Sequence, residues 1–238
     1  MIYFLLIVVL LFLFWRYLYF FRNPNRKIPV NPEHVLSPAD GYVVYIKEIN
    51  AEEPAFAVKK NKPIKLWELF QVAKEERIGK KGYLIGIYMS TIDVHYNRMP
   101  IAGFIRKLMH DFPQSSQGNL SMLNVFDNLI FNRKPLYDGA EYLISNERAS
   151  YLISNETISL YVTQIADRWI KKIATYKDQE KAEQGEVFGL IRMGSQVDLF
   201  IPFKEGFEIE PMVAPRQHLK AGLTPIFHLR KSDSNDQF

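Results

Sequence analysis

The sequence predicts an α+β fold, with one β-rich domain preceded by an N-terminal membrane-anchor helix. Two observations predict it. An apolar segment opens the chain, and short β-branched and aromatic runs follow it, separated by Gly, Pro and Asn. The 238 residues, 47% of them hydrophobic, are enough for one domain with a sizeable core and an appendage. We therefore expect strands to outnumber helices clearly.

The anchor helix is predicted over residues 1–21, where Arg16 is the one charged side chain. A helix of this length spans about 31 Å, close to the ~30 Å thickness of the hydrocarbon layer. Trp15, Tyr17 and Tyr19 resemble an interfacial aromatic belt, and Arg16 lies where a long side chain can reach the head groups. A removable signal peptide fits poorly, because no basic residue precedes the apolar run and no small-residue cleavage site follows it.

The positive charge of the chain is concentrated beside this helix. The net charge is +4, and residues 1–27 hold four basic residues and no acid, whereas residues 28–238 hold 26 of each sign. By the positive-inside rule, this flank predicts a cell-membrane protein whose domain lies on the cytoplasmic side. The balanced charge of the domain argues against nucleic acid as a partner.

Beyond the anchor, we expect a Pro-rich basic linker over residues 22–34, the β-rich domain over 35–230 and a flexible tail over 231–238. Two segments have helical spacing, Ile64–Glu76 and Gln164–Tyr176. The remaining runs have the composition of strands: Gly41–Ile49, Tyr83–Met89, Ile158–Val162, Val197–Ile201 and Pro225–Leu229.

One short motif is repeated. Tyr-Leu-Ile-Ser-Asn-Glu begins at Tyr142 and again at Tyr151. Two copies are too few for a solenoid, so we interpret them as part of a β-hairpin region in which Asn155-Glu156 marks the turn between strands.

The composition narrows the chemistry to hydroxyl, carboxylate and imidazole groups. Cys is absent, which excludes disulfides, thiolate nucleophiles and Cys-ligated metal centres. The five His residues include no pair at i, i+3 or i, i+4 spacing, so we expect no metal site. Three segments hold the candidate groups: the turn Ser37–Gly41, the polar cluster Asp93–Pro100 and the pair Gly194-Ser195. Each segment alone is explained by an ordinary turn or a structural histidine, and Ser195 has no Gly-x-Ser-x-Gly elbow around it.

Together and in this order, the three segments resemble the phosphatidylserine decarboxylase family, the pyruvoyl-dependent enzymes that make phosphatidylethanolamine. The strongest block is GEVFGLIRMGSQVD, residues 185–198, which resembles the self-cleavage region of the short, compact branch of that family. Residues 50–81 and 110–136 fall outside the similarity. The other matching blocks are Phe20–Pro24, Leu36–Gly41, Met89–Gly103, Asn146–Arg148, Thr163–Ile173 and Leu219–Ile226.

The resemblance implies a self-cleaving enzyme. Ser195 would attack the carbonyl of Gly194, and the chain would be cut between them, leaving at Ser195 a covalent pyruvoyl group that takes the substrate amine as a Schiff base. His95 and Asp40 would together orient and deprotonate Ser195. The implied reaction decarboxylates phosphatidylserine, or a closely related serine phospholipid, to phosphatidylethanolamine. The implied partners are the bilayer, the lipid substrate and the chain's own two fragments, and a homodimer stays open.

The chain departs from the longer bacterial branch at the self-cleavage block, which reads Leu-Gly-Ser-Thr there and Met-Gly-Ser-Gln at residues 193–196 here, and at Arg98, where that branch has a second histidine. His95 must therefore serve both self-cleavage and decarboxylation, or another group must serve one of them. A guanidinium cannot act as a base, but it can hold a carboxylate or phosphate through two parallel hydrogen bonds, so we expect Arg98 to bind the substrate. The alternative for Arg98 is a structural ion pair with Asp93.

Two functions from other classes also remain open. The chain could be a membrane-tethered, non-catalytic β-rich scaffold in which the three candidate segments only form turns. It could instead be a membrane-bound serine hydrolase with an intact Ser195. Both alternatives predict an uncut chain.

Overall fold

A computed structural model of the chain describes residues 1–50, 54–57, 63–70, 81–112, 122–131, 141–167, 173–192 and 195–232. Within these ranges the helices are α1 (Ile2–Phe14), which continues as a π-helical turn over Trp15–Tyr19, α2 (Leu66–Leu69), α3 (Leu123–Phe131) and α4 (Tyr142–Ser145). The strands are β1 (His34–Leu36), β2 (Gly41–Asn50), β3 (Pro54–Ala57), β4 (Pro63–Lys65), β5 (Lys81–Met89), β6 (Tyr96–Arg98), β7 (Gly103–Asp111), β8 (Arg148–Ser154), β9 (Ser159–Ala166), β10 (Ile173–Thr175), β11 (Glu180–Ala182), β12 (Val187–Ile191), β13 (Ser195–Pro202), β14 (Phe207–Pro211), β15 (His218–Leu219) and β16 (Pro225–Lys231).

The predicted β-rich fold with few helices is confirmed. Its centre is an eight-stranded sheet in the order β11-β7-β8-β9-β13-β5-β2-β15, and every pair of neighbours in it is antiparallel. Two three-stranded sheets, β1-β16-β14 and β10-β12-β6, and the hairpin β3-β4 complete the described strands.

The central strand β13 is covered on both of its faces. From Ser195 to Ile201 every residue of β13 is buried. Val197 and Leu199 pack into one core cluster with Ile87, whereas Phe200 packs into a second cluster on the opposite face with Leu84. Strand β13 is therefore buried on both sides of the sheet, including the polar side chains of Gln196 and Asp198.

A glycine is required where β2 begins. Gly41 has φ +145°, and a Cβ there would lie 2.1 Å from the carbonyl oxygen of Tyr88 on β5. Only glycine allows this approach, so the Ser37–Gly41 turn is fixed against β5, one residue from the end of that strand.

Of the two helical expectations for the domain, Gln164–Tyr176 was wrong over the residues that the structure describes, and Ile64–Glu76 was right for one turn only. Gln164–Ala166 ends β9, and Ile173–Thr175 forms β10, because pairing with β13 and β12 overrides the helical spacing. In the other segment, helix is confined to Leu66–Leu69. Residues 168–172 and 71–76 lie outside the described residues.

The two copies of the repeated motif fold differently. Tyr142–Ser145 is helical, whereas the same four residue types at 151–154 end strand β8. The predicted turn after the second copy is confirmed. The backbone N–H of Asn155 donates to the carbonyl of Ile158 (2.9 Å), and the Asn155 Oδ1 accepts from two backbone N–H groups of the turn.

The N-terminal segment Ile2–Tyr19 is the one helix, among the described residues, that is long and apolar enough to cross a membrane. None of it is buried against the domain. In length and composition it fits the anchor helix that the sequence predicts. At the other end of the chain, residues 233–238 of the predicted tail lie outside the described residues.

Candidate active site

The three candidate segments meet at one end of the large sheet. The carbonyl of Pro38 accepts hydrogen bonds from the backbone N–H of Arg98 (2.9 Å) and from Nδ2 of Asn97 (3.4 Å). The sulfur of Met89, the last residue of β5, accepts hydrogen bonds from Asn97 Nδ2 (3.7 Å) and from Ser195 Oγ (3.4 Å). The Ser37–Gly41 turn, the polar cluster Asp93–Pro100 and the start of β13 are therefore connected through Asn97 and Met89.

Ser195 is the first residue of β13 and has no exposed surface. It lies directly opposite Met89 on β5 and Ala166 on β9. Its neighbours across the sheet are thus apolar, and among the described residues its hydroxyl hydrogen-bonds to the Met89 sulfur alone. Gly194, the predicted partner in cleavage, lies outside the described residues.

His95 is a fully buried imidazole in the form that a base requires. Its Nδ1 lies 2.9 Å from the Asp93 carbonyl, so Nδ1 carries the proton, because a carbonyl can only accept. Nε2 is buried without a hydrogen-bond partner among the described residues. Burial lowers the pKa of His95 to about 4, which keeps the ring neutral near pH 7 with a free lone pair on Nε2.

The carboxylate of Asp40 is held by a residue of the linker. Arg26 Nη1 and Nη2 donate to the two oxygens of Asp40 at 2.6 and 2.8 Å, and the backbone N–H of Ala221 donates to Oδ1 at 2.7 Å. Arg26 Nη1 also donates to the carbonyl of Ala221 (2.6 Å). Both side chains of this pair are more than 90% buried, so Arg26 neutralises a carboxylate that water barely reaches.

In the described part of the chain, no hydrogen bond joins Asp40 to His95 or His95 to Ser195. The Asp40 carboxylate acts on His95 through space, where it raises the pKa of the imidazole against the larger effect of burial. Asp93 orients the ring instead, through its backbone carbonyl. The Asp93 side chain fixes this loop by accepting from the Ser90 N–H (2.8 Å) and hydroxyl (2.6 Å) and from His218 Nε2 (2.8 Å).

Arg98 connects the linker to the domain. Its Nη1 donates to the Gly185 carbonyl (2.9 Å), and its Nη2 donates to Oδ1 of Asn23 (2.7 Å) and to the Pro24 carbonyl (3.4 Å). The alternative of an ion pair with Asp93 is wrong, because the Asp93 carboxylate is bound to Ser90 and His218. No carboxylate among the described residues lies within ion-pair distance of Arg98. Burial, and then the charge of Arg26, lower the pKa of Arg98.

The base of the anchor covers the site. Phe20, one residue past the π-helical turn, is completely buried, and its ring centroid lies 4.3 Å from that of His95. Arg22 donates to the carbonyl of Ile92, three residues before His95. The buried His95 ring thus lies next to the point where the N-terminal helix ends.

Comparison with known proteins identifies the family. The family model for phosphatidylserine decarboxylase matches residues 13–227. The chain belongs to the phosphatidylserine decarboxylase family. It is 31% identical over 210 residues to a protein of Chlorobium limicola named phosphatidylserine decarboxylase proenzyme, covering 88% of this chain and 77% of the relative.

Two further relatives carry the same name. The protein of Amoebophilus asiaticus is 30% identical over 218 residues, covering 88% of this chain and 73% of the relative. The protein of Wolbachia pipientis is 26% identical over 222 residues, covering 92% and 78%. Similarity to the family therefore extends from the anchor helix to the last described strand.

Three site residues were missed by reasoning from the sequence: Arg26, Asp93 as the residue that orients the imidazole, and Phe20. Arg26 was counted with the basic flank of the anchor, where a membrane role sufficed to explain it. Asp93 acts through a backbone carbonyl, which no side-chain pattern reveals. Of the three, Phe20 could have been found from the sequence, because it begins a block that resembles the family.

Proposed function

We propose that the chain is a membrane-anchored, self-cleaving phosphatidylserine decarboxylase that converts phosphatidylserine, or a closely related serine phospholipid, to phosphatidylethanolamine. The observation that carries the proposal is the buried, neutral His95 with an unpartnered Nε2, at the place where the Ser37–Gly41 turn and Ser195 converge. An imidazole in this state has a lone pair that can accept a proton near neutral pH, as a general base must.

Self-cleavage is the first reaction of the proposed enzyme. His95 Nε2 takes the proton of the Ser195 hydroxyl, and Oγ attacks the carbonyl of Gly194, so that the amide becomes an ester. Asp40 stabilises the imidazolium through space, and the Asp93 carbonyl holds the ring in orientation. Elimination then releases the carboxylate of Gly194, one water is consumed and ammonia leaves, and residue 195 becomes a pyruvoyl group.

The surroundings of Ser195 fit such a group. A pyruvoyl group lacks the amide N–H and the hydroxyl of serine. The side chains opposite residue 195, Ala166 and Met89, are apolar and do not depend on either donor. When present, the group supplies an electron sink to the amine-bearing carbon of the substrate. The chain's own residues bind the head group, exclude water and move protons.

Arg98 is proposed to bind the anionic head group. Its guanidinium is buried beside another arginine, its Nε lacks a partner among the described residues, and its acceptors are neutral oxygens. A carboxylate or phosphate supplied by the substrate would give it a counter-ion. Asn23 and Pro24, which it holds now, belong to the linker.

The position of the anchor suits a lipid substrate. Phe20 packs on His95, so the lipid head group has to travel only a short distance from the membrane surface to the site. Confinement of enzyme and lipid to one surface raises their effective concentration. We place the domain on the cytoplasmic side because basic residues flank the C-terminal end of the anchor helix.

Denaturing electrophoresis with intact-mass measurement of the purified full-length chain tests the proposal. We expect fragments of 194 and 44 residues, the second blocked at its N-terminus, and CO2 release from phosphatidylserine. An intact chain that reacts with a fluorophosphonate at Ser195 would instead establish the hydrolase. An intact chain that is inert to the probe would establish the scaffold.

A further inference from the structure

The anchor helix is joined to the domain by close contacts instead of a free linker. Phe20 is completely buried, and its ring packs on that of His95. Arg22 donates from Nη1 to the carbonyl of Tyr19 (2.9 Å) and from Nη2 to the carbonyl of Ile92 (2.5 Å), which ties the end of the helix to the loop after β5. Because these contacts prevent the domain from turning freely about the helix, the surface around the helix end has one orientation to any bilayer that the helix crosses.

An apolar side chain is exposed next to this helix end. Ile92 is 63% exposed, although the three residues that follow it, Asp93–His95, are all buried. Arg22 holds the carbonyl of Ile92 together with that of Tyr19, which belongs to the aromatic belt that the sequence predicts. Such belts lie at the interface between membrane and water, so Ile92 lies near that interface as well.

Two polar contacts connect the loop of Ile92 to the C-terminal end of α3. Asp93, the neighbour of Ile92, is bound through Oδ1 to Nε2 of His218 (2.8 Å). Arg216, two residues before His218, donates from Nη1 to the carbonyl of Leu129 in the last turn of α3 (3.0 Å). Because two residues of chain span at most about 7 Å, the end of α3 is held close to the Ile92 loop.

The last turn of α3 exposes two more large apolar side chains. Val125, near the start of the helix, is buried in the second core cluster, whereas Ile130 and Phe131 are each 55% exposed. A single exposed apolar side chain is ordinary, but several of them around one site indicate an apolar partner. We call Ile92, Ile130 and Phe131 the docking surface.

We propose that the docking surface is a second membrane contact, which inserts into the interfacial layer of the bilayer beside the anchor helix. The bilayer is the occupant because the surface continues from the point where that helix ends. Insertion removes the three apolar side chains from water, which is favourable, and it holds the domain against the membrane. This inference rests on the membrane anchor of the proposed function and is independent of the decarboxylation chemistry.

The chain has no Cys, so a single introduced cysteine can carry a fluorescent label at a chosen position. The test places the fluorophore NBD, whose emission shifts to shorter wavelength in apolar surroundings, on Ile92→Cys or on Phe131→Cys. Each protein is the full-length chain with Ser195→Ala, so that every sample is one uncut chain. The proteins are reconstituted in vesicles of phosphatidylcholine and phosphatidylglycerol, with or without a nitroxide on the lipid acyl chain, which quenches NBD on contact.

Phe203→Cys, labelled in the same way, is the matched control. Phe203 is an apolar side chain that is 39% exposed. It directly follows β13, an eight-residue strand that begins at Ser195. Phe203 therefore lies roughly 25 Å from Ser195 along the strand.

We expect the labels at residues 92 and 131 to shift to shorter wavelength in vesicles and to lose fluorescence to the nitroxide lipid. The reason is that side chains in an interfacial surface lie about 5–10 Å into the boundary between head groups and acyl chains. The label at residue 203 should stay in water and remain unquenched.

Labels at residues 92 and 131 that behave like the label at residue 203 would overturn the proposal. A shift to shorter wavelength without quenching by the nitroxide lipid would overturn it too, because a second copy of the chain or another protein would then cover the surface. A further comparison tests whether the three side chains act together. Ile92→Asp combined with Phe131→Asp should abolish the quenching of a label on Ile130→Cys, whereas Phe203→Asp should leave it unchanged, and equal quenching in both would refute the joint role.

Two other results would concern the proposed function and not the docking surface. A full-length chain that does not float with the vesicles in a density gradient would contradict the membrane anchor itself. A chain with Ser195 in place that stays uncut would contradict the decarboxylase.

Discussion

Removal of the Arg26 guanidinium is the sharpest perturbation of the site, because this residue of the linker neutralises Asp40. Arg26→Gln leaves a carboxylate that is 8% exposed with the Ala221 N–H as its remaining donor among the described residues. Breaking a buried ion pair from one side costs about 3–5 kcal/mol. At roughly 2–4 °C per kcal/mol for a protein of this size, the apparent melting temperature should fall by about 10 °C.

The assay is thermal unfolding of the detergent-solubilised full chain in a Ser195→Ala background, so that every sample is one uncut chain. Lys27→Gln is the matched control, since Lys27 is the exposed basic neighbour of Arg26. Adding Asp40→Asn to Arg26→Gln should recover much of the loss, because no charge is then left buried. Equal melting temperatures for Arg26→Gln and Lys27→Gln would refute the reasoning. In the Ser195 protein, Arg26→Gln should also slow self-cleavage, and Arg26→Lys should slow it less.

Three further outcomes are expected. Ser195→Ala should remain a single inactive chain by intact mass, and a cut product would show that the nucleophile lies elsewhere. The rate of self-cleavage should be constant above about pH 5 and fall as the pH drops through about 4, because His95 then gains a proton and can no longer act as a base. If the rate instead fell to half near pH 6.5, the ordinary pKa of histidine, the imidazole would be solvated during cleavage. Arg98→Ala should leave cleavage largely intact while decarboxylation falls, with partial recovery in Arg98→Lys; a block in processing as complete as that of His95→Ala would assign Arg98 to assembly of the cleavage site.

The sequence predicted the fold class well because its strands leave strong local signals. The run Gly41–Ile49 matches β2 to within one residue, and the run Tyr83–Met89 lies within β5. Gln164–Ala166 was assigned the wrong structure because its helical spacing is a local property, whereas its place in β9 depends on pairing with β13. The repeated motif makes the same point, since one tetrapeptide forms α4 in its first copy and part of β8 in its second.

For the site, the sequence predicted the reactive groups but not what holds them. Ser195 and His95 were identified because the family motif surrounds them. Their environment depends on contacts between distant segments, such as Arg26 with Asp40 and Phe20 with His95. The direction in which the imidazole presents its lone pair depends on a backbone carbonyl, at Asp93. None of these contacts has a sequence spacing from which it could be recognised.

The central position of β13 has a consequence for the life of the protein after cleavage. The proposed cut before Ser195 would leave β13 to β16 on a separate chain, with β13 hydrogen-bonded between β9 and β5 and β16 paired with β1. The short fragment cannot leave without dismantling the main sheet. Unfolding of the precursor is unimolecular, but refolding of the mature form requires two molecules to meet and therefore depends on concentration. The proposed conversion of Ser195 to a pyruvoyl group would also remove the serine hydroxyl, so a chain that lost its partner could not repeat its own maturation. Replacement of lost enzyme must come from new synthesis.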